Sequence, residues 1–228
     1  MSPASLPPLL LLAAGAGVRF GMPKALWPLG GVAGAPPWGR VQLEAFARAG
    51  GREAVVILGP TSEPLRLHLA VPGLRVSPTS TPAPDEGPFA SIQQGIATVM
   101  SWPEPPDALA VLPVDVPCPG RAVFDALSRA LADARILAAV PIHGGRGGHP
   151  VLLRWSWAIT LRASPPDGMG RLDAQLRALG PAVARVAVDD PTVLLNLNTE
   201  EAARAYARTA SSGPPPDAPG PVSSRRNS

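Results

Sequence analysis

The glycine-rich loop near the N-terminus combines flexible backbone with two long cationic side chains. Gly15, Gly17 and Gly21 follow an apolar run, and Arg19 and Lys24 project from the same loop. Glycine lets backbone N–H groups approach an anion closely, and cationic side chains then bind that anion. The chain's other basic residues are all arginine, so its single compact ammonium lies in this loop. The spacing predicts a phosphate-binding loop.

Two common phosphate-binding motifs do not fit this loop. A P-loop requires Ser or Thr after its lysine, and Ala25 follows Lys24. A dinucleotide-binding fingerprint requires glycine where this chain has Phe20. Instead, residues 12–24 resemble the signature L-A-A-G-x-G-x-R-x-G-x-x-K of nucleotidyltransferases with a MobA-like domain. That family includes the molybdenum cofactor cytidylyl- and guanylyltransferases.

The resemblance implies that this loop and the start of a later helix bind a nucleotide. The segment Gly87-Pro88-Phe89-Ala90-Ser91 matches the family's G-x-x-x-S element beside the base. Taken alone, the segment precedes a predicted helix whose N-terminus could meet an anion or a base edge, and Ser91 could equally line or cap the helix start. The implied nucleotide-binding residues are Leu12, Ala13, Ala14, Gly15, Gly17, Arg19, Lys24, Gly87 and Ser91.

Asp115 directly follows an apolar predicted strand. A carboxylate in this position can hold Mg²⁺ between phosphate oxygens, or it can stabilise the turn before Pro117. Asp115-Val116-Pro117 resembles the family's D-x-P element, which implies that Asp115 is a metal ligand. The resemblance thus implies Mg²⁺ as cofactor and Arg19, Lys24 and Asp115 as the catalytic residues.

The segment Asn196-Leu197-Asn198-Thr199-Glu200-Glu201 allows two interpretations. Asn198 could cap a helix, with Glu201 completing a capping box. The segment also resembles the family's closing element N-x-N-T-P-E, without its proline. That resemblance implies Asn198 as a second, neutral metal ligand and Asn196 on the acceptor side.

The last motif is a glycine-rich segment at residues 144–150 that connects two predicted strands. By itself it is typical of a hairpin turn, with His149 as a turn residue before Pro150. Gly145-Arg146-Gly147-Gly148-His149-Pro150 resembles the family's G-R-x-G-H-P element. The resemblance implies that Arg146 and His149 lie on the side of the acceptor substrate.

Alternating apolar strands and amphipathic helices must position these motifs. This alternation predicts an α/β fold with a mostly parallel, Rossmann-like sheet and helices on both faces, and the resemblance implies the nucleotide-diphospho-sugar transferase type. We expect a single domain over residues 1–210 and a disordered Pro/Ser-rich tail over 211–228. Strands are predicted from residue 9 and at 54–58, 74–76, 108–112, 136–140, 151–153 and 183–188. Helices are predicted at 38–49, 63–70, 89–100, 121–133, 155–162, 170–179 and 199–208.

Composition excludes several classes of function. The net charge is only +3 and the chain has one Tyr and no basic block, which disfavours nucleic-acid binding. No apolar segment approaches the roughly 20 residues of a membrane span. No basic residue precedes the N-terminal apolar run, so we interpret it as a buried strand rather than a signal peptide. Cys118 is the single cysteine, consistent with a reducing cytoplasm, and between two prolines it is expected to be packed rather than nucleophilic.

The resemblance implies transfer of a nucleotidyl group from an NTP to a phosphorylated acceptor, most plausibly molybdopterin or its molybdenum form. Ala13-Ala14-Gly15 matches the L-A-A-G of cytidylyl-type members, whereas Asn196-Leu197-Asn198-Thr199 matches guanylyl-type members; we favour CTP over GTP. A molybdoenzyme or maturation factor is a possible partner. The alternatives are a cytidylyl- or sugar-nucleotide transferase acting on another phosphorylated metabolite, and a catalytically weak nucleotide-binding regulator.

Overall fold

The structure, a computed structural model, describes residues 5–17, 20–81, 87–164 and 171–211. The strands are β1 (Leu9–Ala13), β2 (Glu53–Leu58), β3 (Arg75–Ser80), β4 (Ala108–Pro113), β5 (Ala138–His143), β6 (Arg146–Gly147), β7 (Val151–Arg154) and β8 (Val183–Ala187). The α-helices are α1 (Trp38–Arg48), α2 (Pro88–Met100), α3 (Arg121–Ala130), α4 (Trp155–Ala158), α5 (Leu172–Leu179) and α6 (Glu200–Ser211).

The eight strands form one mixed sheet with β1 near its middle. β1 pairs in parallel with β2 on one side and β4 on the other, and β3 continues in parallel beyond β2. β7 then lies antiparallel between β4 and β5. Because the first two residues of β5 pair with both β7 and β8, those two strands lie on opposite edges of β5. Since β1 and β4 pair in parallel, their carboxyl ends are neighbours at one edge of the sheet.

Helices cover both faces of this sheet, as the sequence predicted. The alternation along β1 directs Leu9 and Leu11 into one core and Leu10 into the other. The first core packs against α1, α3 and α6, and the second packs against α2 and α4. The predicted α/β fold with a mostly parallel sheet is confirmed.

Several predicted elements differ in their bounds or type. The predicted helix over 63–70 is a 3-10 helix at Glu63–His68, where Pro64 lies at the start. The predicted strand over 136–140 begins two residues later, at Ala138. The predicted helix over 155–162 is α4 followed by a 3-10 helix at Ile159–Ala163.

The buried face of α1 is not purely apolar. Val41 and Ala45 are only half-buried, and Val41 packs at the edge of the first core. Gln42 and Leu43 are buried beside Trp38 and Phe46. A polar side chain thus occupies a core-facing position of this helix.

Two further expectations concern the C-terminal tail and membrane-spanning segments. Of the predicted tail, residues 212–228 lie outside the described residues, while Ser211 is the last residue of α6. Among the helices that the structure describes, none has the length and apolar character needed to cross a membrane.

Cys118 packs against the first core, and burial raises the pKa of its thiol to about 12. Since the thiolate is the reactive form, we expect native protein to react with a disulfide reagent at pH 8 at least about 100-fold more slowly than unfolded protein. The measurement is the rate of thiol labelling with and without denaturant. Equal rates in both states would contradict the inert, packed role predicted for this cysteine.

Candidate functional site

A cleft of about 480 Å³ opens at the carboxyl ends of β1 and β4. Ligands collect at this edge in open α/β sheets, and the volume suits a small molecule. Its lining joins the glycine-rich loop, the start of α2, the turn after β4 and the segment before α6. The lining residues are Leu12, Ala14, Gly15, Gly17, Phe20, Lys24, Gly87, Pro88, Ser91, Pro113, Val114, Asp115 and Asn198.

The glycine-rich loop folds tightly because Gly17 adopts a left-handed conformation, with φ of +65°. The N–H of Phe20 donates to the Gly17 carbonyl at 2.8 Å. A Cβ at residue 17 would lie 1.9 Å from the backbone oxygen of Met22, a separation that no side chain can occupy. By contrast, a Cβ at Gly15 would meet nothing within 4 Å.

Gly17→Ala is therefore expected to distort the loop and lower the melting temperature by several degrees, since a strained backbone of this kind costs about 1–3 kcal/mol. Nucleotide affinity should fall at least about tenfold because the loop can no longer approach phosphate closely. Thermal unfolding and calorimetric titration with CTP and GTP measure the two effects. Gly15→Ala is the stability control; an equal loss of melting temperature in both variants would contradict the role of Gly17.

Lys24 joins three segments of the site that are far apart in the sequence. Its Nζ donates to Asp115 Oδ2 at 2.9 Å and to Asn198 Oδ1 at 2.5 Å. The side chains of Lys24 and Asp115 are 19% and 23% exposed, so the pair is partly shielded yet accessible from the cleft. Three of the four side chains implied for catalysis and metal binding, those of Lys24, Asp115 and Asn198, thus meet at one point.

This point has the chemistry of a small divalent-cation site. The Lys24 ammonium is a cation held by one carboxylate oxygen and one amide oxygen, and hard cations such as Mg²⁺ prefer oxygen ligands of these types. Within the described ranges, no group of three or more His, Cys, Asp or Glu side chains is placed to hold a metal. Mg²⁺ is commonly bound by one or two protein oxygens together with substrate phosphates and water. Asp115 and Asn198 therefore fit a cation whose remaining ligands are water or phosphate.

Asn198 does not cap the following helix, so the capping interpretation was wrong. The hydroxyl of Thr199 instead accepts the Ala202 N–H at 3.2 Å, and the Thr199 carbonyl accepts the Ala203 N–H. The cap is therefore Thr199, the residue next to Asn198, and the amide of Asn198 is left to contact Lys24 in the cleft.

The segment before α6 is attached to the turn that carries Asp115. The N–H of Leu197 donates to the Asp115 carbonyl at 2.8 Å, and Leu197 itself is buried in the core. The exposed Asn196 carbonyl accepts the N–H of Asn198. The two implied metal ligands therefore share a backbone link as well as a common contact with Lys24.

The start of α2 forms another wall of the cleft. Gly87 has φ of +86°, and Pro88 follows as the first helical residue. Ser91 is 3% exposed and lines the cleft. Ala14 lines the cleft too, whereas the Ala13 side chain packs in the core that lies against α1, so only its backbone could serve a nucleotide. Arg19 lies outside the described residues.

Sequence reasoning missed part of the cleft wall. Phe20 lines the cleft and packs edge-on against Trp27, with ring centroids 5.8 Å apart. An aromatic residue inside a glycine-rich loop was the available signal for this contact. Pro113 and Val114 also line the cleft, and nothing in their residue types indicated it.

The residues implied for the acceptor side do not line the cleft. Arg146 lies exposed on β6, and Asn196 is exposed as well. His149 is closer to the site: burial lowers the pKa of its imidazole, while the charge of Asp115 and a hydrogen bond to the backbone of Val111 oppose that shift. Its Nδ1 is buried and has no hydrogen-bond partner among the described residues.

Comparisons with known proteins bear on the family and on the fold. A sequence profile of the MobA-like NTP transferase domain matches residues 9–183. No curated protein matches the sequence.

Several solved structures are similar to this chain over nearly its whole length. Rv0371C from Mycobacterium tuberculosis H37Rv in complex with manganese is 20% identical, with 90% of this chain and 100% of that chain covered and a TM-score of 0.65. Molybdopterin-guanine dinucleotide biosynthesis protein A from Archaeoglobus fulgidus is 17% identical (90% and 99% covered, TM-score 0.66). The UTP-bound UGPase from Acinetobacter baumannii is 11% identical (92% and 95% covered, TM-score 0.69). At these identities the likeness is one of fold, and it confirms the predicted fold type.

Proposed function

We propose that this chain, which belongs to the MobA-like NTP transferase family, transfers a nucleotidyl group from an NTP to a phosphorylated acceptor and releases pyrophosphate. The observation that carries the proposal is the contact of Lys24 with both Asp115 and Asn198 beside the glycine-rich loop. A cation-binding point next to a phosphate-binding loop is what a nucleoside triphosphate requires.

In this proposal the glycine-rich loop binds the triphosphate through its backbone N–H groups, and Arg19 and Lys24 neutralise its charge. Asp115 and Asn198 would hold a divalent cation, Mg²⁺ by preference, which supplies further neutralisation of phosphate charge. An oxygen of the acceptor phosphate attacks the α-phosphorus in line, and the bond to the β-phosphate oxygen breaks. The acceptor phosphate is already ionised at neutral pH, so no side chain has to remove a proton. Catalysis is then positioning and charge neutralisation.

The nucleotide and acceptor are proposed more specifically as CTP and molybdopterin or its molybdenum form. The L-A-A-G form of the loop supports CTP, and the likeness to a molybdopterin-guanine dinucleotide biosynthesis protein supports a molybdopterin acceptor. His149 would face the acceptor with Arg146 and Asn196 beyond the cleft. The cytoplasmic location and a molybdoenzyme or maturation-factor partner stay predictions.

A second candidate is transfer to a different phosphorylated metabolite, such as a sugar phosphate. The likeness to a UTP-bound UGPase over 92% of this chain favours keeping it as the alternative.

The test is pyrophosphate release with each of the four NTPs and Mg²⁺, with and without molybdopterin, and with sugar phosphates as a second acceptor series. Release with CTP that depends on molybdopterin supports the full proposal. Release with another base or acceptor moves the assignment to the metabolite transferase. Nucleotide binding without turnover for any acceptor would leave only the regulator.

A further inference from the structure

We propose that Gln42 is a positioning residue for Asp115, an inference that rests on the proposed function of the cleft. Gln42 lies on α1 and is only 1% exposed. It does not line the cleft, and the family resemblance assigns it no role. Its side chain reaches the turn after β4, residues 114–118, which we call the Asp115 loop.

The amide of Gln42 uses both its donor and its acceptor on this loop. Nε2 donates to the carbonyls of Val114 at 3.2 Å and Val116 at 2.5 Å, the residues on either side of Asp115. Oε1 accepts the N–H of Cys118 at 2.8 Å. One buried side chain thereby fixes three backbone groups that surround the carboxylate.

Other elements complete this attachment. Trp38, one turn before Gln42 on α1, donates its indole N–H to the Val114 carbonyl at 2.6 Å. Leu197 donates to the Asp115 carbonyl at 2.8 Å. Three consecutive carbonyls, those of residues 114 to 116, are thus each bound by a donor from outside the loop. The Asp115 carboxylate is held toward Lys24 and Asn198 by this backbone clamp.

Only a primary amide satisfies these three groups at once. Glutamate would set a carboxylate against two carbonyl oxygens, and methionine would fill the space but remove all three bonds of the amide. In either variant the loop keeps its bonds from Trp38 and Leu197 but is held less tightly, and a shift in Asp115 changes the distance of its carboxylate from Asn198. Residues that orient a metal ligand typically contribute 10- to 100-fold to metal affinity.

Gln93 on α2 provides a matched control. Its side chain also bonds three backbone groups, since Nε2 donates to the carbonyls of Leu161, Arg162 and Ser164. These residues do not line the cleft. Gln93→Met therefore removes a comparable number of bonds, between α2 and the end of the 3-10 helix at Ile159–Ala163, without touching the Asp115 loop.

The experiment titrates nucleotide-free full-length protein with Mn²⁺ and measures the free Mn²⁺ by electron paramagnetic resonance. Wild type, Gln42→Met and Gln93→Met are compared. Gln42→Met is expected to weaken Mn²⁺ binding about tenfold, and Gln93→Met to change it by less than about twofold. In turnover assays, the Mg²⁺ concentration for half-maximal rate should rise similarly in Gln42→Met. The KM for NTP should change little, and kcat should recover at high Mg²⁺, which a general loss of folded protein would not produce.

Trp38→Phe is the second variant, for use if Gln42→Met does not fold. It keeps a ring beside Tyr206, whose centroid lies 5.7 Å away, and removes the N–H bond to Val114 together with part of the buried ring. We expect about threefold weaker Mn²⁺ binding. Equal Mn²⁺ affinities in wild type and in whichever of these variants folds would overturn the positioning role. Absence of pyrophosphate release by wild type would instead overturn the proposed function, because the Mn²⁺ titration requires no turnover.

Discussion

Asp115→Asn is expected to lower kcat for pyrophosphate release about 10³-fold while the melting temperature stays within a few degrees of wild type. Removing one electrostatic group from a phosphoryl or acyl-transfer site typically costs 10²–10³-fold, and under the proposed function this residue is also the charged member of the metal-ligand pair. Its pair with Lys24 is partly exposed, and such pairs contribute about 0–1 kcal/mol to stability. Steady-state kinetics over a range of Mg²⁺ concentrations and thermal unfolding measure the two effects.

Asp125→Asn is the matched control for this substitution. Asp125 accepts a bond from Arg121 at 2.7 Å on α3, so the same chemical change breaks an ion pair that does not line the cleft. Its turnover should equal that of wild type. If Asp115→Asn loses no more activity than Asp125→Asn, then Asp115 has no part in catalysis or in metal binding.

Lys24→Gln is expected to have two effects of opposite sign. Turnover should fall about 10²–10³-fold because the chain loses its single lysine ammonium, which the proposed function places beside the triphosphate. Mn²⁺ binding to the nucleotide-free protein should tighten on the order of tenfold, since the ammonium no longer repels a cation from the oxygens of Asp115 and Asn198. Initial rates with CTP and GTP, together with Mn²⁺ titration, give both quantities.

Lys24→Arg serves as the control for charge alone. A planar guanidinium retains the charge but not the compact shape that fits between two oxygens, so we expect only partial recovery of turnover. Full activity in Lys24→Gln would remove this residue from the mechanism. Weaker Mn²⁺ binding in Lys24→Gln would show that the ammonium supports the site rather than competing with the cation.

The order of helices and strands could be predicted because each element carries a local signature. β1 and β4 are unbroken apolar runs, and α3 has a clear apolar stripe. The antiparallel direction of β7 was not predicted, because an apolar run of four residues does not indicate how a strand is oriented relative to its neighbours. Its connection offered the missing signal: too few residues separate β5 from β7 for a parallel crossover.

The candidate site likewise contains residues that the sequence could predict and residues that it could not. Lys24 and Asp115 could be proposed from the sequence because glycines and an apolar strand surround them. That Asn198 would turn toward Lys24 rather than cap α6 depended on Thr199 taking the cap, a competition between neighbours that the residue pattern left open. Gln42 was missed because a polar residue on an amphipathic helix is normally assigned to solvent. Its position between Trp38 and Phe46 on the buried face was the overlooked signal.

The contact that unites Lys24, Asp115 and Asn198 also has a consequence for the order in which the protein becomes active. Lys24 and Asp115 are 91 positions apart, and Lys24 and Asn198 are 174 apart. Chain entropy opposes loop closure over such separations, so we expect it to follow the pairing of β1, β2 and β3, whose paired residues are closer together in the sequence. During refolding, secondary structure should therefore return before the capacity to bind a nucleotide. Binding competence then reports that β1, β4 and the segment before α6 have come together.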